Sequence, residues 1–141
     1  MLVSQILRTK GATVFTIKPA DIVGLVAELL HTKGIGALVV LEADRVVGIV
    51  SERDVVRAMP GKMDQLIGMR VRDLMTVEVI TCTQNSTVAE LMTVMTERRI
   101  RHIPVLSETG ELLSIVSIGD VVKAHITEIE NERKALADYV N

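Results

Sequence analysis

The sequence predicts a mixed α/β fold, of the α+β class, built from two similar strand-helix-strand-strand-helix units. The main observation is an internal repeat: a shift of 66 positions places residues 34–58 on 100–124 without a gap, and nine of the 25 pairs are identical. A second observation is that four of the other sixteen pairs exchange one aliphatic residue for another. A repeat of this length and identity indicates a duplicated supersecondary unit.

The apolar patterning of the first copy predicts its elements in order. The run Ala37–Leu41 is apolar throughout, which is typical of a strand buried on both faces. The polar turn at residues 42–45 predicts that the next strand returns antiparallel as a hairpin. The predicted elements are a strand at Val14–Ile17, a helix that begins at Pro19–Asp21 and ends near Lys33, strands at Ala37–Leu41 and Val46–Val50, and a helix from Ser51 through Arg57.

The second copy predicts the same order of elements. Pro104 lies inside one of its strands and must take a position that needs no ladder N–H. The predicted elements are a strand at Val79–Thr83, a helix at Thr87–Arg99 with Ser86 as its N-cap, a hairpin of His102–Leu106 and Leu112–Val116, and a helix from Ser117 to about Val140.

These elements predict a first motif at residues 1–60, a connector at 61–70, a second motif at 71–125 and a helical extension at 126–141. Each motif begins with a short apolar segment, Val3–Arg8 in the first and Val71–Thr76 in the second, which we call the lead-ins. They align at an offset of 68, so the first copy has two extra residues around Gly11 and Ala12.

Composition excludes several classes of function. A net charge of −2 argues against general nucleic-acid binding, and a single Phe and a single Tyr leave no aromatic platform for base stacking. Cys82 is the only cysteine, so neither an internal disulfide nor a Cys-rich metal site is expected, and we interpret it as a small buried apolar residue. No apolar run approaches the roughly 18 residues that span a bilayer, and a cytoplasmic protein without membrane contact is expected.

A Ser-x-x-Asp pattern occurs at the same place in both copies, where a buried strand becomes a helix. Ser51 and Asp54 form the first, and Ser117 and Asp120 form the second. Free N–H groups and the helix dipole make such an end suited to phosphate, which a Ser hydroxyl also contacts, and an Asp one turn later suits a ribose diol. The alternative is that Ser and Asp only cap the helix. The repetition favours two separate nucleoside-phosphate sites.

Basic residues distinguish the two candidate sites. Arg101 and His102 begin a strand at the sheet edge where Ser117 also lies, so they could present charge to a phosphate. The aligned residues of the first copy are Ile35 and Gly36, and Arg53 either replaces the missing cation or is an ordinary surface arginine. The two sites should therefore differ in affinity or in preferred ligand.

Catalytic patterns are not found. The chain has no nucleophile elbow, no phosphate-cradling glycine loop, no Ser/His/Asp order that makes structural sense and no paired histidine spacing for zinc. These observations predict a protein that is not an enzyme and needs no catalytic cofactor.

Three segments resemble the signature of cystathionine-β-synthase (CBS) domain pairs, a tandem regulatory module. They are Gly48–Asp54 (Gly-Ile-Val-Ser-Glu-Arg-Asp), Ser114–Asp120 (Ser-Ile-Val-Ser-Ile-Gly-Asp) and Arg101–Val105 (Arg-His-Ile-Pro-Val), and the resemblance covers almost all of residues 1–125. It implies two β-α-β-β-α motifs related by a pseudo-twofold axis and packed as one module. It also implies clefts between the motifs that bind AMP, ADP, ATP, NAD(H) or S-adenosylmethionine.

The resemblance implies a role for each candidate residue. Ser51 and Ser117 would contact phosphate, Asp54 and Asp120 ribose, and Ile49 and Ile115 adenine. Arg101 and His102 match positions that face the phosphates. Two features depart from the family pattern: Ser114 replaces a glycine, and the first copy lacks a basic pair.

We therefore expect a stand-alone regulatory or sensor module that binds an adenosine nucleotide, forms a homodimer through its helices and contacts a target protein. The alternative is an interaction or scaffold protein with vestigial clefts that acts through its dimer surface. A small hydrolase or kinase is disfavoured because the catalytic residues are missing.

Overall fold

The computed structural model describes residues 1–11 and 13–140; Ala12, where the sequence places an extra residue, and Asn141 lie outside the described residues. The predicted helices and strands occur in the predicted order, except that the strand at Val79–Thr83 is reduced to a bridge, and the mixed α/β fold is confirmed. Helices at Val3–Lys10 and Met63–Leu66 and a 3-10 turn at Val71–Asp73 were not predicted. In chain order the elements are α1 (Val3–Lys10), β1 (Thr16–Ile17), α2 (Val23–Lys33), β2 (Ala37–Glu42), β3 (Arg45–Ser51), α3 (Glu52–Ala58), α4 (Met63–Leu66), a 3-10 turn (Val71–Asp73), α5 (Val88–Arg98), β4 (His102–Leu106), β5 (Leu112–Ser117) and α6 (Ile118–Val140).

The first copy forms a three-stranded sheet in the order β1-β2-β3. β2 pairs parallel with β1 and antiparallel with β3, which confirms the predicted hairpin. The two residues of its tight turn, Ala43 and Asp44, have φ values of 50° and 62°. Backbone twist of this kind matches the twist of the flanking strands. β3 ends at Ser51, which is also the N-cap residue of α3.

The second copy forms a smaller sheet of β4 and β5. The strand predicted at Val79–Thr83 is wrong in extent, because only Cys82 forms a bridge, parallel to Val105. That bridge keeps the register of the repeat, since Thr16 and Val39 pair in the same way 66 positions earlier. Pro104 contributes its carbonyl to this bridge, where it accepts the Cys82 N–H at 3.0 Å, and the Leu106 N–H donates to the Cys82 carbonyl at 2.9 Å.

Two predicted helix starts are also wrong by a few residues. α2 begins at Val23 rather than at Pro19–Asp21, because the Asp21 carboxylate accepts the Lys18 N–H and forms a turn. Thr87, not Ser86, caps α5: its hydroxyl accepts the Glu90 N–H at 3.1 Å. The Ser86 hydroxyl instead accepts the N–H of Thr83 in the preceding loop.

The chain divides into two compact units that exchange the lead-ins. The terminal unit comprises Met1–Thr13, Thr81–Glu108 and Leu113–Asn141, and the central unit comprises Val14–Ile80 and Thr109–Leu112. Each lead-in thus joins the unit built mainly from the other copy: the Val3 N–H donates to the Ser86 carbonyl, and the Val71 N–H donates to the Asp21 carbonyl. The compact units cut across the predicted motif boundaries at 60 and 71, and those boundaries stay predictions.

Each unit has its own aliphatic core, and each lead-in contributes a fully buried valine to it. Val3 packs in the terminal unit with residues of α5, α6, β4 and β5, and Val71 packs in the central unit with residues of α2, β2 and β3. Cys82 is buried in the terminal core, as predicted, and burial raises the pKa of its thiol to about 11. Among the described residues, no helix is both long and apolar enough to cross a membrane.

Candidate functional site

The first candidate turn lies in the central unit, where β3 passes into α3. The Ser51 N–H and hydroxyl both donate to Asp54 Oδ2, at 2.8 and 3.0 Å, and the Asp54 N–H donates to Ser51 Oγ at 3.3 Å. The hydroxyl of Thr76 donates to the other carboxylate oxygen, Asp54 Oδ1, at 3.3 Å. The carboxylate thus accepts three hydrogen bonds. Ser51 and Asp54 are only partly buried.

The second candidate turn lies in the terminal unit, where β5 passes into α6. The Ser117 N–H donates to Asp120 Oδ2 at 2.9 Å, and the Asp120 N–H donates to Ser117 Oγ at 3.2 Å. The ammonium of Lys10, at the end of α1, donates to the same Oδ2 at 2.7 Å and also to the carbonyl of Ile115. Burial raises the pKa of Asp120, but bonds from Lys10 and Ser117 lower it by more, so its pKa lies below the ordinary value.

In both units, therefore, the Ser-x-x-Asp pattern forms a reciprocal capping box. The capping interpretation left open by the sequence is present in the structure. The capping box leaves hydrogen-bonding capacity in the turn, because a hydroxyl has two lone pairs and a carboxylate about four acceptor positions. The first N–H groups of the helix lie beside these oxygens. Each turn thus places acceptors for hydroxyl groups next to donors for an anion.

The remaining predicted residues lie around these turns in different environments. Ile49 and Ile115 are partly buried in the strands that lead into them, and Arg53 is exposed on α3. His102 is partly buried as the first residue of β4, and the Arg101 carbonyl accepts the Ile118 N–H at 2.8 Å.

Arg101 itself lines a surface cavity on the outer face of α6. The cavity has a volume of about 570 Å³, and its lining residues are Arg101, Ile118, Gly119, Val122, Lys123, Ile126 and Thr127. Neither Ser117 nor Asp120 is among them. The role of Arg101 toward a phosphate at Ser117 stays a prediction.

Sequence reasoning missed Thr76 and Lys10, the residues that complete the two turns. Thr76 is the last residue of the second lead-in, and Lys10 lies two residues past the end of the first. The lead-ins were aligned at an offset of 68, which pairs Thr76 with Arg8. Extending the offset of 66 upstream instead pairs Thr76 with Lys10. The pairing of Thr76 with Lys10 at an offset of 66 was the signal that could have identified both residues. The exchange of the lead-ins accounts for this pairing, because each lead-in packs beside the turn of the other copy.

The departure from the motif at Ser114 has a structural counterpart. At the equivalent position, a Cβ on Gly48 would lie 2.7 Å from Met75 Sδ and 3.1 Å from the Thr76 carbonyl oxygen. Glycine thus lets the end of the second lead-in pair with β3, where Ile49 and Thr76 form a bridge. Ser114 is 1% exposed, and its hydroxyl has no hydrogen-bond partner among the described residues.

Known proteins share this fold and much of this sequence. The crystal structure of a CBS-domain containing protein from Agrobacterium tumefaciens matches with a TM-score of 0.84 and 44% identity, over 89% of this chain and 99% of that one. A mitochondrial CBS domain-containing protein of Arabidopsis thaliana is 40% identical over 111 residues, which are 75% of this chain and 53% of the relative. The chain thus spans about half the length of that curated relative.

A more distant CBS domain protein, from Pyrobaculum aerophilum, was solved in complex with AMP. It matches with a TM-score of 0.75 and 24% identity, over 85% of this chain and 89% of that one. The family model of the CBS domain matches twice, at residues 3–61 and 71–126. Because these matches span most of the chain, this protein belongs to the CBS domain family and carries the domain as a tandem pair.

Proposed function

We propose that this protein is a regulatory module that binds adenosine nucleotides and is not an enzyme. The observation that carries the proposal is the repeated turn: both units present a Ser hydroxyl, an Asp carboxylate and a helix N-terminus in the same arrangement. Membership of the CBS family supports it, as does the AMP complex of the protein from Pyrobaculum aerophilum.

The chemistry assigns a part of the ligand to each group. The helix N-terminus and the Ser hydroxyl receive a phosphate, because unpaired N–H groups and the helix dipole favour an anion there. Asp54 and Asp120 accept hydrogen bonds from ribose hydroxyls, and Ile49 and Ile115 offer apolar contact to adenine. AMP, ADP, ATP and NAD(H) contain all three parts, whereas S-adenosylmethionine shares the adenine and the ribose diol but has no phosphate. Such a ligand regulates by binding one conformation of the protein better than another.

We further propose that the protein forms a homodimer through α6. Residues spaced by three or four positions form an apolar stripe on this helix, and the stripe is exposed in the single chain. Its members are Ile118 at 43% exposure, Val122 at 47%, Ile126 at 50% and Ile129 at 51%. The same stripe favours the second candidate function, an interaction protein whose ligand sites are vestigial and which acts through this surface.

A thermal-shift panel separates the two candidates. The purified protein is melted with AMP, ATP, NADH or S-adenosylmethionine, and with inorganic phosphate as the control for a bare anion. A ligand at 100 times its dissociation constant adds about 2.7 kcal/mol, which for a chain of this size raises the melting temperature by roughly 5–10 °C. Such a rise with an adenosine compound, and not with phosphate alone, supports the nucleotide module. If no adenosine compound raises the melting temperature, the second candidate function, the interaction protein, is favoured instead.

A further inference from the structure

One difference between the two Ser-x-x-Asp turns is the group that approaches each of them at the end of the exchanged lead-in or just beyond it. In the central unit, the Thr76 N–H donates to the Ile49 carbonyl at 2.9 Å, and the Thr76 hydroxyl donates to Asp54. In the terminal unit, both of the equivalent acceptors, the Ile115 carbonyl and Asp120, are contacted by the ammonium of Lys10. One charged group thus replaces two neutral donors.

The ion pair of Lys10 and Asp120 is also partly shielded from water. The two side chains are 26% and 25% exposed, and the ammonium makes a second hydrogen bond to a strand carbonyl. A bond with two ionised partners is stronger than a bond from a neutral hydroxyl. A ligand hydroxyl that binds Asp54 therefore replaces one neutral hydrogen bond, from Thr76. A ligand hydroxyl that binds Asp120 must replace a charge-assisted hydrogen bond, from Lys10.

The position of the ammonium indicates which ligand compensates for that loss. Asp120 Oδ2 accepts both the Ser117 N–H and Lys10 Nζ, so these donors lie side by side at the start of α6. A phosphate received at Ser117 is consequently within reach of the lysine side chain, which has a flexible four-carbon stem. A neutral nucleoside offers the ammonium no new partner, and an anionic one does.

Building on the proposed function, we propose that Lys10 is a specificity residue that makes the Ser117–Asp120 turn select anionic adenosine ligands over neutral ones. When a nucleotide binds, the ammonium moves from Asp120 to the ligand phosphate and leaves Asp120 to the ribose. The Ser51–Asp54 turn, with Thr76 in place of the lysine, does not discriminate in this way.

The test compares AMP with adenosine, using calorimetry on a protein in which Asp54→Ala silences the first turn. With Lys10 present, AMP should bind at least tenfold more tightly than adenosine. Lys10→Met, which keeps the length of the side chain and removes its charge, should reduce this preference about tenfold, by weakening AMP and strengthening adenosine. Lys10→Arg retains a cation and should preserve the preference for AMP.

A matched control uses the other turn. In a protein with Asp120→Ala, Thr76→Val should change the affinities for AMP and adenosine by similar factors. Melting curves on every variant confirm that it is folded. If Lys10→Met changes the two affinities by the same factor, or changes neither, Lys10 has only a structural role and the inference is overturned. If the unmodified protein binds neither AMP nor adenosine, the proposed function fails and this inference fails with it.

Discussion

The Lys10 ammonium and the Asp120 carboxylate meet at 2.7 Å, although 110 positions separate them in the chain. The contact joins the last residue of α1 to the first turn of α6, and it exists because the first lead-in packs with the second copy of the repeat. It also marks a chemical difference between the two copies, since Thr76 contributes only a hydroxyl to the equivalent Asp54.

Lys10→Met should lower the free energy of unfolding by about 1 kcal/mol, because a partly shielded ion pair and a bond to the Ile115 carbonyl are lost. For a chain of this size, the melting temperature should fall by about 2–4 °C. Lys134→Met, on the exposed end of α6, is the control and should change little. Equal effects of the two substitutions would show that the ion pair contributes nothing to stability.

Asp120→Asn should alter how stability depends on pH. The pKa of Asp120 is lower in the folded protein than in the unfolded chain, so its charge stabilises the fold above the ordinary value of about 4. This contribution is lost as pH falls through the folded pKa. Urea denaturation should therefore show a deficit of the variant at pH 6 that shrinks toward pH 3. A deficit of the same size at both pH values would contradict this assignment.

Gly48→Ala and Ser114→Ala should have opposite effects although the positions are equivalent in the repeat. The first places a Cβ against Met75 and the Thr76 carbonyl, and should destabilise the protein by about 1–2 kcal/mol. The second removes a buried hydroxyl that has no partner among the described residues, and should stabilise by about 1 kcal/mol. Chemical denaturation of both variants measures the difference. Destabilisation by Ser114→Ala would indicate that the hydroxyl has a partner in solution.

Val122→Glu should convert the proposed dimer into a monomer, since it places a charge in the middle of the exposed α6 stripe. Sedimentation velocity on the variant and on the unmodified chain reports the change in mass. Val77→Glu is the matched control: Val77 is 67% exposed and belongs to the central unit, whereas α6 belongs to the terminal unit. A monomeric unmodified chain, or a dimer that survives Val122→Glu, would remove α6 as the interface.

Local patterns were sufficient for most of the fold and for the two turns. The hairpin of β2 and β3 depends on apolar runs and on residues close in sequence, and this prediction is confirmed. The caps at Ser51 and Ser117 were the alternative interpretation of the Ser-x-x-Asp pattern, and the structure contains them. Ser86 and Thr87 show the limit of such patterns. Ser and Thr are both good N-cap residues, so the sequence does not determine which of these two neighbours caps α5. The backbone conformation decides it, and Thr87 is the cap.

The features that the sequence did not predict depend on packing between residues that are distant in the chain. The segment at Val79–Thr83 has the composition of a strand, but only Cys82 pairs with a neighbour. Lys10 was missed for a related reason: each lead-in was assigned to the copy that follows it in sequence. The exchange of the lead-ins leaves no mark in composition, and its available signal was the offset of 66, which pairs Thr76 with Lys10.

The most direct test of nucleotide binding at the two turns is a calorimetric titration of AMP into four proteins: the unmodified chain, Asp54→Ala, Asp120→Ala and the double variant. Because each carboxylate should hold one ribose, loss of either should weaken its own site by about 1.5–3 kcal/mol. Circular dichroism establishes that the variants remain folded without their caps. We expect the unmodified chain to bind AMP, each single variant to retain the other site, and the folded double variant to lose binding. A folded double variant that binds AMP as tightly as the unmodified chain would show that the ligand binds elsewhere.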